Sequence, residues 1–297
     1  MLELLSSHAC HGGEQRIYRH DSQTVGLPMR FSVYLPPQAL QANANVPALF
    51  YLAGLTCTEE TFPVKAGAQR FAAQHGIALI APDTSPRGAG VPGESAAWDF
   101  GVGAGFYVDA TQQPWAKHYR MYSYVRDELR ETVLANLPVD GARLGIFGHS
   151  MGGHGALMLA LRNPEIYRSV SAFAPIAAPS QCPWGVKAFS GYLGEDREEW
   201  RKYDSSELVA QSSRKFKEGI LVDQGLADQF LAEQLNPDVF EAACKAAGQP
   251  LTLRRHAGYD HGYYFISTFI EDHIAHHAKV LNAAATNSRH TPPPTAP

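Results

Sequence analysis

The chain has 297 residues, 45% hydrophobic and 18% charged, and its 29 acidic and 25 basic side chains leave a formal net charge of −4. This is the composition of a globular protein with one large core, and without a clustered basic surplus it argues against a nucleic-acid partner. Residues 1–13 lack the basic start and apolar run of a secretory signal, and no stretch reaches the ~18 apolar residues that span a bilayer, so no membrane partner is expected. Four cysteines, Cys10, Cys57, Cys182 and Cys244, lie far apart with no CxxC pair. That spacing speaks against a disulfide scaffold or zinc site and for a reducing, cytoplasmic setting.

In chain order, short β-rich apolar runs alternate with longer helical patterns, the order of an α/β protein whose mostly parallel sheet is covered by helices on both faces. The expected strands are Met29–Leu35, Ala48–Leu52, Ile77–Ala81, Arg143–Phe147, Ser169–Phe173, Gly219–Val222 and Leu251–Arg255. The expected helices are Thr61–His75, Met121–Asn136, Met151–Arg162, Phe230–Ala247 and Tyr263–Ala283. The strands before Pro47 are expected to form an antiparallel edge. Two stretches, 83–115 and 175–193, read as long and irregular; such loops are commonly functional, and their aromatic content favours ordered walls around a site. Residues 1–285 read as a single domain and 286–297, ending in TPPPTAP, as a disordered tail.

Gly148-His149-Ser150-Met151-Gly152 fits the pattern G-x-S-x-G. The spacing alone is weak, but here it follows a strand-like RLGIF and opens a helix-like GGHGALMLALRNP, the context of a nucleophile elbow. The turn from strand to helix is so tight that the residues two before and two after the serine nearly touch, hence the glycines. The serine is held in a strained conformation, and the N–H groups that follow it point toward developing negative charge.

A hydrolase of this fold carries its triad in the order Ser, Asp or Glu, His. After Ser150 the acid belongs on a loop past a later strand. Gly219–Val222 is followed by Asp223 and, five residues on, by Asp228. Asp223 sits at the strand end, where it ties down the loop through backbone N–H groups; Asp228, beyond Gly225, reaches further and is favoured. The base belongs after the last strand. His261 follows Gly258 on a loop before an amphipathic helix, whereas His256 lies at the strand end and reads as structural. His149 adjoins the nucleophile, but adjacent side chains at an elbow diverge, so it is a poor base. His273, His276 and His277, with Asp272, have helical spacing open to a metal, yet no second cluster completes a site and a solvated helix face is the preferred reading. In the resulting relay His261 takes the Ser150 proton and Asp228 fixes the imidazole tautomer. One oxyanion donor is Met151 N–H. The second comes from the loop after the third strand, Ala53–Thr58, which makes Leu55 N–H the candidate. Cys57, in the same loop, is either a small buried side chain or part of the pocket, where it would sensitise the enzyme to thiol reagents.

Several runs together resemble the S-formylglutathione hydrolase (esterase D) family over residues 12–282: FSVYLPP (31–37), LAGLTCTEETF (52–62), APDTSPRG (81–88), WDFGVGAGFYVDAT (98–111), GHSMGGHGAL (148–157), PWGVKAFSGYLG (183–194), DQGLADQFL (223–231) and GYDHGYYFI (258–266). The resemblance implies an α/β-hydrolase fold and a triad of Ser150, Asp228 and His261, with Leu55 and Met151 N–H as oxyanion donors. It also implies cleavage of S-formylglutathione to glutathione and formate, in formaldehyde detoxification, without a metal or organic cofactor. Assembly as a homodimer is implied by the family alone. Gly262 stands where the family often has Ser, and Leu226-Ala227 is less polar than usual beside the acid. A formyl acyl group calls for a cramped pocket walled by the aromatic loops, with Cys57, Trp98, Trp184 and Lys187 as candidate lining; Arg87 and Lys187 sit in candidate wall loops and are candidates to pair with glutathione carboxylates, although exposed basic residues usually make no such pair. The competing readings are a general short-chain carboxylesterase, an acyltransferase on the same fold, and a binding module without catalysis.

Overall fold

The computed structural model describes residues 2–212 and 214–288, and the side chains up to residue 283. Nine strands form one sheet: β1 (Glu3–Cys10), β2 (Gly13–Asp21), β3 (Pro28–Leu35), β4 (Val46–Leu52), β5 (Ala78–Pro82), β6 (Val139–His149), β7 (Tyr167–Phe173), β8 (Ile220–Gly225) and β9 (Leu251–His256). Their order is β1-β2-β3-β5-β4-β6-β7-β8-β9. The first three strands run antiparallel to their neighbours, and β5-β4-β6-β7-β8-β9 is a parallel block. Every residue of β4, β5 and β8 is buried, as expected of parallel strands covered on both faces. The chain turns one way from β4 to β5 and the other way to β6, so the ends of β4 and β6 flank the crevice in which α/β proteins place their sites.

The helices are α1 (Thr61–Lys65), α2 (Gln69–His75), α3 (Met121–Ser123), α4 (Arg130–Asn136), α5 (Met151–Arg162), α6 (Pro183–Leu193), α7 (Arg197–Arg201), α8 (Ser205–Gln211), α9 (Pro237–Ala247) and α10 (Tyr263–Ser288). From β6, Gly148 faces Gly152 of α5 while Gly145 faces His277 of α10, so the two helices cover opposite faces of the sheet. In α5 every residue from Met151 to Leu161 is buried.

The expected strands all form, with ends shifted by a few residues. Several helical expectations are corrected. The run 61–75 divides where Gly67 takes a φ of 65°. The run 230–247 divides at Asn236 (φ 48°), ahead of Pro237. The stretch 175–193, expected to be irregular, contains α6, which opens on Pro183 after the Cys182 Sγ cap. Strands β1 and β2, for which no bounds were expected, complete with β3 the antiparallel edge expected before Pro47; helices α7 and α8 were not anticipated. Helix α10 runs on to Ser288, three residues into the expected tail; residues 289–297 lie outside the described residues.

A further correction concerns the α10 histidines. His273 and His277 are fully buried, not solvated. His277 lies 2.6 Å from Ser169 Oγ and 2.9 Å from Ser171 Oγ, and His273 lies 2.8 Å from Ser171 Oγ and stacks on Phe173 at 3.7 Å. Among the described residues no group of His, Cys, Asp or Glu could hold a metal ion, and no helix is long and apolar enough to cross a membrane.

Burial lowers the pKa of the His149, His154, His273, His276 and His277 imidazoles, to about 4 for His154 and His276. The folded chain resists protonation at sites that the unfolded chain protonates near pH ~6.5. Their contribution to stability is therefore present above that pH and lost as pH falls below it. Urea unfolding is expected to give a lower midpoint at pH 5.5 than at pH 7.5, with a smaller drop in His276→Gln, whose Nε2 has no hydrogen-bond partner.

Candidate active site

The site begins with a close approach between two backbones. Leu52 of β4 pairs with Gly148 of β6. A Cβ on Gly148 would lie 2.2 Å from Gly152 O, and one on Gly152 would lie 1.9 Å from Leu52 O. No side chain larger than hydrogen fits either position, as expected for an elbow. Between them Ser150 takes φ 57°, ψ −119°, a conformation rare for any residue with a Cβ and typical of functional strain. It is held there by its N–H donating to Phe173 O (3.0 Å) and its C=O accepting from His154 N–H (3.0 Å) and Ile176 N–H (3.1 Å).

The loop after β4 crosses directly over the serine: a Cβ on Gly54 would stand 3.2 Å from Ser150 Cβ. Among the described residues neither the Leu55 N–H nor the Met151 N–H has an intramolecular acceptor. Two amide donors without acceptors thus lie in the segments that meet at Ser150, an arrangement that can hold a developing oxyanion.

On the other side, His261 Nδ1 lies 2.5 Å from Asp228 Oδ2. Asp228 is buried, and its remaining lone pairs are occupied by Phe230 N–H (2.8 Å) and Gln224 Nε2 (3.3 Å). A carboxylate on Nδ1 keeps the proton there and leaves Nε2 as the basic nitrogen. His261 packs against His149, the residue preceding the nucleophile, with ring centroids 4.4 Å apart. Neither the Ser150 hydroxyl nor His261 Nε2 forms a hydrogen bond among the described residues; in free enzymes this contact commonly tightens only when substrate binds. Burial and then the nearby His261 push the His149 pKa well below the usual value. Its ring nevertheless does not diverge from the site.

Asp223 has a different fate, and not the one expected. Among the described residues no backbone N–H ties its side chain; instead Arg254 grips it with Nε and Nη2, each at 2.6 Å, and His273 Nε2 and His256 Nε2 lie at 3.3 Å. Burial would raise its pKa, but the His273 and Arg254 hydrogen bonds outweigh this and hold the carboxyl well below the ordinary range.

The aromatic loops do form a wall. The half-exposed Trp98 meets Trp184 edge-on at 5.5 Å, Trp184 lies 4.7 Å from Phe230, and Phe230 stands edge-on to His261 at 5.0 Å. Phe230 was missed, although its place two residues after the acid was its signal. Lys187 is paired with Asp99, and Arg87 holds Asp83 at 2.6 and 2.9 Å, so neither presents an unpaired cation. The Cys57 thiol is half-buried and its pKa is raised by burial, which opposes the reactivity toward thiol reagents considered above. An open cavity of about 890 Å³, lined by Tyr167, Arg168, Lys215, Lys217 and Lys279, lies at the opposite end of the sheet and contains none of these residues.

A parallel sheet with this switch point, a strained serine elbow and a carboxylate-bound histidine defines a serine hydrolase of the α/β-hydrolase class. The sequence matches the family described as "Putative esterase" over residues 22–276. It is 56% identical over 283 residues to a rat (Rattus norvegicus) protein named S-formylglutathione hydrolase, covering 95% of this chain and 99% of that protein. It is 52% identical to one from Arabidopsis thaliana, covering 94% and 98%. The solved structure of an S-formylglutathione hydrolase from Agrobacterium tumefaciens superposes with a TM-score of 0.91 at 48% identity, over 94% of this chain and 99% of that one. The chain belongs to the S-formylglutathione hydrolase family of esterases.

The two aspartates are separable by experiment. Asp228→Asn is expected to lower kcat about 10⁴-fold, the effect of a wrong tautomer, with little loss of stability. Asp223→Asn is expected to cost about 3 kcal/mol of stability by uncoupling a buried ion pair. Steady-state kinetics and urea denaturation of both variants read the contrast.

Proposed function

We propose that this chain hydrolyses S-formylglutathione to glutathione and formate through a formyl-Ser150 intermediate. The observation that carries the reading is the Asp228–His261 pair beside the Ser150 elbow, in a chain that is 52–56% identical to proteins bearing that name. Ser150 Oγ attacks the formyl carbon while His261 Nε2 takes its proton. The oxyanion rests on the Leu55 and Met151 N–H groups. Collapse breaks the C–S bond as the glutathione sulfur takes the proton from His261, which leaves the imidazole neutral. Water then attacks the formyl-enzyme while His261 Nε2 takes its proton, and the adduct collapses to formate as His261 returns that proton to Ser150 Oγ.

The chemistry sets unequal demands on its parts. A thiolate leaves far more readily than an alkoxide, so acid catalysis by His261 matters less in the first step than in ester or peptide cleavage. The oxyanion must be stabilised in both steps, whichever the leaving group. The acyl group itself is a single carbon, and the wall of Trp98, Trp184 and Phe230 beside His261 supports a pocket that excludes longer chains. The four free thiols suit a reducing, cytoplasmic setting, and the family reading carries homodimer assembly with it.

Formate release from S-formylglutathione should be abolished in Ser150→Ala and reduced by orders of magnitude in His261→Ala. Turnover of p-nitrophenyl esters should fall steeply from acetate to octanoate. Equal rates along that series would rule out the small acyl pocket, and a kcat/KM for simple acetates above that for S-formylglutathione would favour a general carboxylesterase.

A further inference from the structure

The loop that supplies the Leu55 N–H is not stable by its own chemistry. Thr56 takes φ 68°, a left-handed conformation disfavoured for a β-branched residue. The loop holds this shape because its ends are fastened from outside. The Tyr107 hydroxyl donates to Ala53 O at 2.9 Å, and the Thr84 hydroxyl donates to Cys57 O at 2.6 Å. Both donors come from fully buried residues. The two carbonyls stand two residues before and two after Leu55. Between them Thr56 N–H donates to Gly103 O at 2.9 Å, and Cys57 N–H donates to Gly54 O at 3.3 Å. The last bond polarises the Gly54–Leu55 peptide, strengthening its N–H as a donor.

We propose that Tyr107 and Thr84 are positioning residues that aim the Leu55 N–H at the tetrahedral adduct on Ser150 by pinning the carbonyls on either side of it. The proposal rests on the reading of Leu55 and Met151 as the oxyanion donors. Tyr107 also ties the two donors to one frame. A Cβ on Gly155 of α5 would fall 2.6 Å from the Tyr107 ring, so the ring lies directly on the helix that begins with Met151. Phe106 and Tyr107 take φ 50° and 54° in succession, conformations that persist only where the surroundings over-determine them. Here the surroundings include His154 of α5, whose Nε2 lies 3.0 Å from Phe106 O. With its pKa lowered to about 4 by burial, His154 is a neutral side chain that donates to this carbonyl near neutral pH. One continuous path thus runs from the nucleophile helix through residues 106 and 107 to the oxyanion loop.

The test compares wild type, Tyr107→Phe, Thr84→Val and Thr84→Ser on S-formylglutathione and p-nitrophenyl acetate, with phenylboronic acid as a probe that forms a tetrahedral adduct on a serine. Displacing one oxyanion donor without deleting it should lower kcat about 10-fold or more with KM within about 2-fold, below the ~10²–10³ of outright removal. Affinity for the boronate should fall in the same proportion, and Thr84→Ser, which keeps the hydroxyl, should recover most of both. A lowered melting temperature with unchanged kcat and boronate affinity would overturn the proposal, because a purely structural hydroxyl predicts that result. Should Tyr107→Phe fail to fold, the two Thr84 variants read the same clamp from the other end. Failure of the underlying site reading looks different: the wild type itself would not bind the boronate, or Ser150→Ala would still turn over substrate.

Discussion

The architecture of the site depends on the contact between Gly152 and the Leu52 carbonyl. Two neighbouring parallel strands, β4 and β6, end at the same height, and the chain leaving β6 must reverse into α5 within one residue. With hydrogen as the side chain at 148 and 152, α5 can begin in contact with the end of β4. Ser150 is then forced into a left-handed conformation that costs on the order of 1–3 kcal/mol. That cost is offset by the apolar burial of α5, a helix with no exposed face over Met151–Leu161. Because the same contact brings the loop after β4 across the serine, the proposed nucleophile and its two proposed amide donors are outcomes of one packing constraint.

The long segment between β5 and α3 follows from this constraint. A strained elbow and a strained oxyanion loop present backbone groups that neither sheet nor helix can satisfy. The irregular stretch around Thr84, Gly103, Phe106 and Tyr107 supplies donors and acceptors to them: Thr84 to Cys57 O, Gly103 O to Thr56 N–H, Tyr107 to Ala53 O. Irregular backbone is tolerated inside a core when its polar groups are met by other irregular backbone. Thr56, Phe106, Tyr107 and Ala174 take positive φ, as Ser150 does.

Much of this was legible in the sequence because it depends on local chemistry. Strands β4 and β5 are continuous apolar runs, since both faces are covered, and the elbow declares itself by glycines flanking a serine between a strand pattern and a helix pattern. Where reading failed, the deciding interaction was distant in sequence. Hydrophobic periodicity continues through Gly67 and Asn236, but left-handed backbone at both positions breaks the helices. Strand β1 is exposed along most of its length and β2 is only partly buried, so neither carries an apolar run or a clean alternation. His273 and His277 looked like a polar helix face; their partners Ser169 and Ser171 lie about a hundred residues earlier on β7, and only the packed sheet brings them together. The wall is similar: each aromatic was visible, but the sequence of contacts from Trp98 to His261 was not.

The contrast between Asp223 and Asp228 shows why position along a strand is a sound guide to chemistry. A carboxylate that assists a catalytic base must respond to a partner that alternates between neutral and charged. Asp223, the fourth residue of β8, is surrounded by the permanent charge of Arg254 and two imidazoles, so its interactions stay fixed through a reaction cycle. Asp228 lies beyond the strand on a loop that turns over the sheet's end, where among the described residues a single imidazole is its titratable partner and two neutral donors orient it. In that setting a proton arriving on His261 Nε2 creates a new ion pair inside a mostly buried site, and the stabilisation appears only when charge develops. The strand-end carboxylate holds the fold together at all times, whereas in the proposed relay the loop carboxylate gains its full interaction only in the steps that need it.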